Sequence, residues 1–206
     1  MTKALIVVDV QLDFCEGGAL AVQGGNTAAD RIAAYITEHG HEYKMIVFSK
    51  DWHDPGSTNG GHFAEGEPDF TDTWPAHCVA NSKGAQLHPS LTGYEVVGAV
   101  GMNNMHVVLK GQGKPAYSAF EGVSGSNEIE MTLGELLEYG GIEAIDVCGI
   151  ATDYCVRATV MDALKLDIPT TVFVDLVAGV SAAGAIAALN GMARAGAVVV
   201  PSAVDA

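Results

Sequence analysis

An α/β fold, with a mainly parallel sheet covered by helices on both faces, follows from two observations. Short β-branched apolar runs recur along the chain, and most of the gaps between them carry a helical spacing of apolar residues. The runs are apolar at consecutive positions rather than alternate ones, as in strands buried on both sides. The expected architecture is a three-layer, doubly wound α/β fold. It has a six-stranded, mainly parallel sheet and a loop-rich insertion.

The first strand is Ala4–Val8, which stops at Asp9. A helix is expected over Asn26–His39, because Ala29, Ile32, Ala33 and Ile36 fall on one face. Met45–Ser49 is the second strand and runs into Lys50-Asp51-Trp52-His53. Residues 52–103 show little periodicity but hold many glycines and prolines, both tryptophans, and His53, His62, His77 and His88. A loop-rich stretch of this length inside a compact domain is functional or disordered, and its aromatic and histidine content argues for function.

His106–Leu109 is the third strand and ends at Lys110. Glu128–Tyr139 reads as a helix on Ile129, Leu133, Leu136 and Leu137. Ile145–Gly149 is the fourth strand. After Thr152-Asp153 a helix presents Val156, Val160, Ala163 and Leu164, and Pro169 follows its end. Thr170–Val174 is the fifth strand. Ser181 caps a helix carrying Ile186, Leu189 and Met192, and Ala197–Val200 is the sixth strand.

At 206 residues, with 49% hydrophobic composition, the chain suits a single domain over 1–206 with a substantial core. Its 10 basic and 25 acidic residues give a net charge of −15, which argues against a nucleic-acid partner. Met1-Thr2-Lys3 enters the first strand without a signal-peptide pattern, and no apolar run is long enough to span a bilayer. Cys15, Cys78, Cys148 and Cys155 form no Cys-x-x-Cys pair. A cytoplasmic protein with free thiols is expected, as monomer or homo-oligomer, with no membrane partner.

Ligands of open α/β sheets bind beyond the carboxyl ends of the strands, and several apolar runs here stop at reactive side chains. Asp9 ends a strand of Ala-Leu-Ile-Val-Val, where partial desolvation raises a carboxylate toward the range of a general base. It can equally cap the next turn. Lys110 stands after Val-Val-Leu, a position where a lone lysine is usually solvated. Cys155 falls in the first turn of the helix beginning near Thr152-Asp153, where unpaired amides favour a thiolate and can hold an oxyanion. Otherwise it is a small buried residue. Together the three offer a base, a cation and a nucleophile. Position makes Cys155 the expected low-pKa cysteine, and Cys148, inside a strand, a core residue.

Asp51 and His53, two residues apart, share one side of an extended segment, and His62 and His77 can add imidazoles. A carboxylate with two or three histidines suits Fe(II), Mn(II) or Zn(II). His39, His41, His88 and His106 are assigned to the surface or to supporting positions. A non-haem iron oxygenase would use such ligands but leaves Asp9, Lys110 and Cys155 unexplained.

The segments holding these residues resemble the bacterial nicotinamidases, also called pyrazinamidases, in order along nearly the whole chain. They are Ala4-Leu-Ile-Val-Val-Asp-Val-Gln-Leu-Asp-Phe-Cys-Glu-Gly-Gly18, Lys50-Asp-Trp-His-Asp-Pro55, Gly61-His-Phe63 and Thr73-Trp-Pro-Ala-His-Cys-Val79. Lys110-Gly-Gln-Gly113, Ala116-Tyr-Ser-Ala-Phe-Glu-Gly122 and Gly149-Ile-Ala-Thr-Asp-Tyr-Cys-Val-Arg-Ala-Thr159 complete the set. The strand-loop-Cys segment alone marks the wider isochorismatase-like cysteine hydrolases. Its combination with Asp51, His53, His62 and His77 is more specific to nicotinamidases.

The resemblance implies a cysteine amidase that hydrolyses nicotinamide to nicotinate and ammonia, and pyrazinamide to pyrazinoate, in NAD salvage. Asp9, Lys110 and Cys155 match its triad, and Asp51, His53, His62 and His77 the ligands of one divalent metal ion. Phe14, Trp74 and Tyr117 fall at ring-contacting positions, and Ile150 and Tyr154 join the substrate-binding set. The Ile150–Ala151 bond matches a cis peptide that turns the Ala151 N–H, with that of Cys155, toward the oxyanion. Many relatives have Asn at Leu12 and Ser at Ala19; neither change removes a triad or metal position. The rival readings are an isochorismatase-like amidase acting on ureido or carbamoyl substrates, and a non-catalytic, metal-binding flavodoxin-like module.

Overall fold

The computed structural model describes residues 1–124 and 130–202. Its strands are β1 (Lys3–Val8), β2 (Met45–Asp51), β3 (Met105–Lys110), β4 (Val123–Ser124), β5 (Ala144–Ile150), β6 (Thr170–Ala178) and β7 (Val198–Val200). They form one sheet in the order β4-β3-β2-β1-β5-β6-β7. Neighbouring strands are parallel except for β3 and β4. The expected count of six is therefore one short. Strand β4 has two residues, set against Val108 and Leu109, and so short a piece carries no periodicity to read.

Successive side chains of a strand point to opposite faces. Leu5 and Val7 of β1 join the core on the side of α1 (Gly25–His39) and α2 (Tyr94–Val100). Ala4, Ile6 and Val8 join the core under α3 (Leu133–Tyr139), α4 (Arg157–Lys165) and α5 (Ala182–Ala195). Two covered faces explain why the strand sequences are apolar throughout. Each fully buried Leu, Ile or Val contributes roughly 1.5–3 kcal/mol, so a polar substitution on β1 has no harmless face.

The helices depart from expectation in four places. Helix α2 lies inside the stretch read as aperiodic; it buries Val96 and Val100, spaced i, i+4, but is too short to show a repeat. Helix α3 starts later than Glu128, because Thr132 and Glu135 close a capping box ahead of Leu133. Glu128 and Ile129 of that expected helix lie outside the described residues. Helix α4 becomes regular only at Arg157. Thr152–Val156 is a wide turn in which the Val156 N–H donates to the Ala151 carbonyl at 3.1 Å. In α5, Ala188 and Met192 are buried while Ile186 is 62% exposed. Two residues along a helix is a rotation of about 200°, so Ile186 and Ala188 face opposite ways, and the small Ala188 is the one that meets the sheet.

Strand β1 is the sheet's centre, with β2 on one side and β5 on the other. The loops leaving β1 and β5 diverge there, which opens a crevice at the carboxyl ends of the strands. The insertion after β2 folds over this crevice through short pairings: His53 with Val79, and Phe63 with Trp74. Among the described residues, no helix is long and apolar enough to cross a membrane.

Candidate functional site

Asp9, the residue after β1, is fully buried and takes a left-handed φ of 48°. That conformation is uncommon outside glycine and tends to mark a functional turn. Its Oδ1 accepts the Ser49 hydroxyl at 2.6 Å, and its Oδ2 lies 2.9 Å from Lys110 Nζ. Parallel pairing of β2 with β3 sets Asp51 opposite Lys110, and Lys110 Nζ also donates to Asp51 Oδ1. The same ammonium donates to the Ala116 carbonyl at 3.2 Å and lies 3.6 Å from Cys155 Sγ. Lys110 is thus a buried cation shared by two carboxylates and a thiol, not a solvated strand end.

Burial raises Asp9, with Asp51 adding to it, despite the opposing pull of Lys110. Burial would raise Asp51 as well, but Lys110, His53 and His77 hold it well below the ordinary carboxylate value. Lys110 loses by burial yet is held well above its ordinary value by Asp51, Asp9 and Cys155. Burial also pushes the Cys155 thiol well up, and Asp9 and Asp51 push the same way against Lys110. The expected low-pKa cysteine is therefore corrected: desolvation beside two carboxylates outweighs the helix start. Cys155 rests as a thiol beside a raised carboxylate able to take its proton. Cys15, Cys78 and Cys148 are buried and also raised.

Next to this group stand His53, His62 and His77, whose ring centroids are 4.8–5.3 Å apart. His53 Nδ1 lies 2.8 Å from the Gly111 carbonyl, and His77 Nδ1 lies 2.8 Å from that of Pro75. Donating from Nδ1 leaves both Nε2 lone pairs free to coordinate. Each Nε2 is 3.6 Å from Asp51 Oδ2, and that of His53 is buried without a hydrogen-bond partner. Burial, with His53 and His77, pushes His62 down to about 3, so it is neutral at pH 7. Ligand atoms of the three histidines lie within 4.8 Å of one another. Oriented imidazoles around a carboxylate fit a divalent metal ion. Asp9, Asp51 and Cys155 are equally close together, but Lys110 already occupies their centre.

The insertion delivers these rings through its backbone. His53 N–H donates to the Cys78 carbonyl, and Trp74 N–H to that of His62. A Cβ at Gly111 would stand 2.6 Å from the His53 ring, and φ there is +85°, so this position needs glycine.

A pocket opens above Cys155. Its walls include Phe14, Trp74, Tyr117, Tyr154, Leu20 and Val180. Asp51, His62, His77 and Ala151 also reach it. Trp74 stands edge-on to Tyr154 at 5.0 Å and donates from Nε1 to the Tyr117 hydroxyl at 3.1 Å. The Ile150–Ala151 peptide is cis. Ile150 is fully buried in the core on the α1 side and is not among the lining residues, whereas its neighbour Ala151 is. Such a slot admits a small flat ring and presents its substituent to the thiol.

Several residues of the site escaped the sequence reading. Ser49 holds Asp9. Gln11 clamps Asp51, accepting its N–H and donating to its carbonyl, both at 2.8 Å. The apolar wall of Leu20, Val22 and Val180 comes from loops with no distinguishing pattern. Gln11 had a signal, as an amide two residues beyond Asp9 in an otherwise apolar segment.

A family model described as the isochorismatase domain matches residues 3–204. A nicotinamidase/pyrazinamidase of Mycobacterium tuberculosis is 45% identical over 194 residues, covering 94% of this chain and 95% of its own. The crystal structure of a pyrazinamidase of Pyrococcus horikoshii in complex with zinc superposes with a TM-score of 0.76 at 30% identity, over 98% of this chain and 100% of that one. PnC1 from L. infantum, in complex with nicotinate, gives 0.77 at 33% identity, over 97% and 92% of the two chains. The family match takes in the sheet together with the loops that carry the carboxylates, the lysine and the thiol, and the chain belongs to the isochorismatase domain family.

Proposed function

We propose that the protein is a metal-dependent cysteine amidase that hydrolyses nicotinamide to nicotinate and ammonia, and pyrazinamide to pyrazinoate, as a step of NAD salvage. The observation that carries the reading is one narrow aromatic pocket bordered by both Cys155 and the histidine cluster. The nicotinamidase names of the relatives and the nicotinate complex of a neighbour support it.

In this mechanism Asp9 takes the thiol proton of Cys155 as sulfur attacks the carboxamide carbon. The Ala151 and Cys155 amides receive the oxyanion. Asp9 then protonates the departing nitrogen, and ammonia leaves a thioester on Cys155. Asp9 next takes a proton from water, which attacks the thioester; nicotinate departs and the thiol regains its proton. Lys110 keeps the pair of buried carboxylates in one place and balances their charge. Phe14, Trp74, Tyr117 and Tyr154 hold the ring, which keeps the carboxamide over sulfur. Asp51, His53, His62 and His77 would hold one divalent ion, Fe(II), Mn(II) or Zn(II). When bound, that ion supplies a Lewis-acid contact for the ring nitrogen. The four free cysteines support a cytoplasmic setting.

The test is ammonia release from nicotinamide, pyrazinamide and benzamide by samples of matched metal content. Benzamide has C–H where the pyridines have a lone pair, so its kcat/KM should be lower by about 100-fold. Equal turnover of all three would favour a generic amidase without a ring anchor.

A further inference from the structure

The wide turn that carries Cys155 also holds a side chain that reaches away from the thiol. Asp153 Oδ1 accepts the Val180 N–H at 2.9 Å, and its Oδ2 accepts the Ser181 N–H at 3.2 Å. These amides belong to the loop between β6 and α5. Ser181 caps α5, its hydroxyl accepting the Gly184 N–H at 3.0 Å. Val180 lines the pocket and is 43% exposed, so the packing around it is incomplete.

The space around the carboxylate is shaped for this contact. A Cβ at Gly184 would lie 2.5 Å from Asp153 Oδ2, and one at Gly179 would lie 3.3 Å from Oδ1. Two glycines flank the amides that Asp153 engages, and a larger residue at Gly184 would displace it. A carboxylate can accept both N–H groups at once, whereas an asparagine oxygen, with an NH2 beside it, satisfies one.

We infer that Asp153 is a positioning residue that locks the Val180 wall to the turn carrying Cys155, and so sets how tightly the ring is held without taking part in bond making. The wall and the thiol then move as one body, because two charge-assisted hydrogen bonds join their segments. The effect on substrate rests on the amidase reading above; the tie between the two segments does not.

Two readouts test this. The first is amide exchange over residues 176–184, measured without substrate. Asp153→Asn should speed exchange at Val180 and Ser181 by about tenfold, and unchanged exchange would overturn the tie whatever the protein acts on. The second is steady-state kinetics with nicotinamide. Asp153→Asn should raise KM by about tenfold and leave kcat within about twofold, the pattern of lost uniform binding. Val180→Ala should raise KM similarly, and the double variant should be no worse than the worse single one. A fall in kcat at constant KM, or additive effects in the double variant, would place Asp153 with the thiol chemistry and overturn the inference. If the wild-type protein leaves nicotinamide intact, the amidase reading fails on its own and the exchange result still decides the tie.

Discussion

At Cys155, desolvation and reactivity pull in different directions. The thiol is buried against Asp9 and Asp51, which keeps it protonated, yet it faces the pocket that the other three cysteines do not reach. Access, and not acidity, should therefore select it. Iodoacetamide is expected to label Cys155 ahead of Cys15, Cys78 and Cys148, at a rate rising about tenfold per pH unit above neutrality, since only the thiolate reacts. Mapping the adduct at several pH values checks this; fast labelling that has already levelled off at pH 6 would mean a thiolate at rest. Cys155→Ala should lower turnover by roughly a thousandfold or more.

Among the elements, α1 shows how a cap can come from a distant residue. Its N-terminus is preceded by Gly24 in a left-handed conformation, with no side chain to cap it. Glu16 supplies the missing acceptor, taking the Asn26 and Gly24 N–H groups at 2.7 and 2.6 Å. Those bonds hold its carboxyl below the ordinary value of 4.5. A group lowered in the folded state stabilises above its unfolded pKa and loses that contribution as pH falls through the folded one. Glu16→Gln should thus lower Tm by roughly a few degrees at pH 7, and the gap should narrow progressively as the pH of the melts is lowered through the acid range. A gap independent of pH would mean that the carboxylate charge is not what caps the helix.

For the whole molecule, the insertion and the sheet meet at the histidines. His53 follows β2, while His62 and His77 come from the loops folded over it. An ion bound there ties the two together and stabilises the native state by linkage, about 2.7 kcal/mol when its free concentration is 100 times Kd. Chelation should lower Tm and speed amide exchange over residues 53–80 while the β1 and β5 amides stay protected. Calorimetry and exchange on the same sample measure both, and an unchanged Tm would argue that these histidines hold no ion.

Much of this was legible along the chain because burial on both faces and the 3.6-residue repeat leave a mark in composition. The six parallel strands, α1, the strand-end positions of Asp9 and Lys110, and the place of Cys155 in the turn after β5 are local properties of that kind. So is the family resemblance, which rests on contiguous segments. Short or rotated pieces left no such mark: the two residues of β4, the single buried pair of α2, and the inward face of α5, where Ala188 outcompetes the larger Ile186 because it lets the helix approach closely. The state of Cys155 was decided by tertiary structure, since burial, with Asp9 and Asp51 brought beside it from elsewhere in the chain, outweighs the helix start on which sequence reasoning relied. Ile150 went to the core and Ala151 to the pocket for the same reason: neighbours distant in sequence set which side is interior. Sequence by itself determined which reactive groups end the strands. Only the fold decided which of them share a proton, an ion or a wall, because those energies depend on distance and desolvation, and both arise when segments far apart in the chain are packed together.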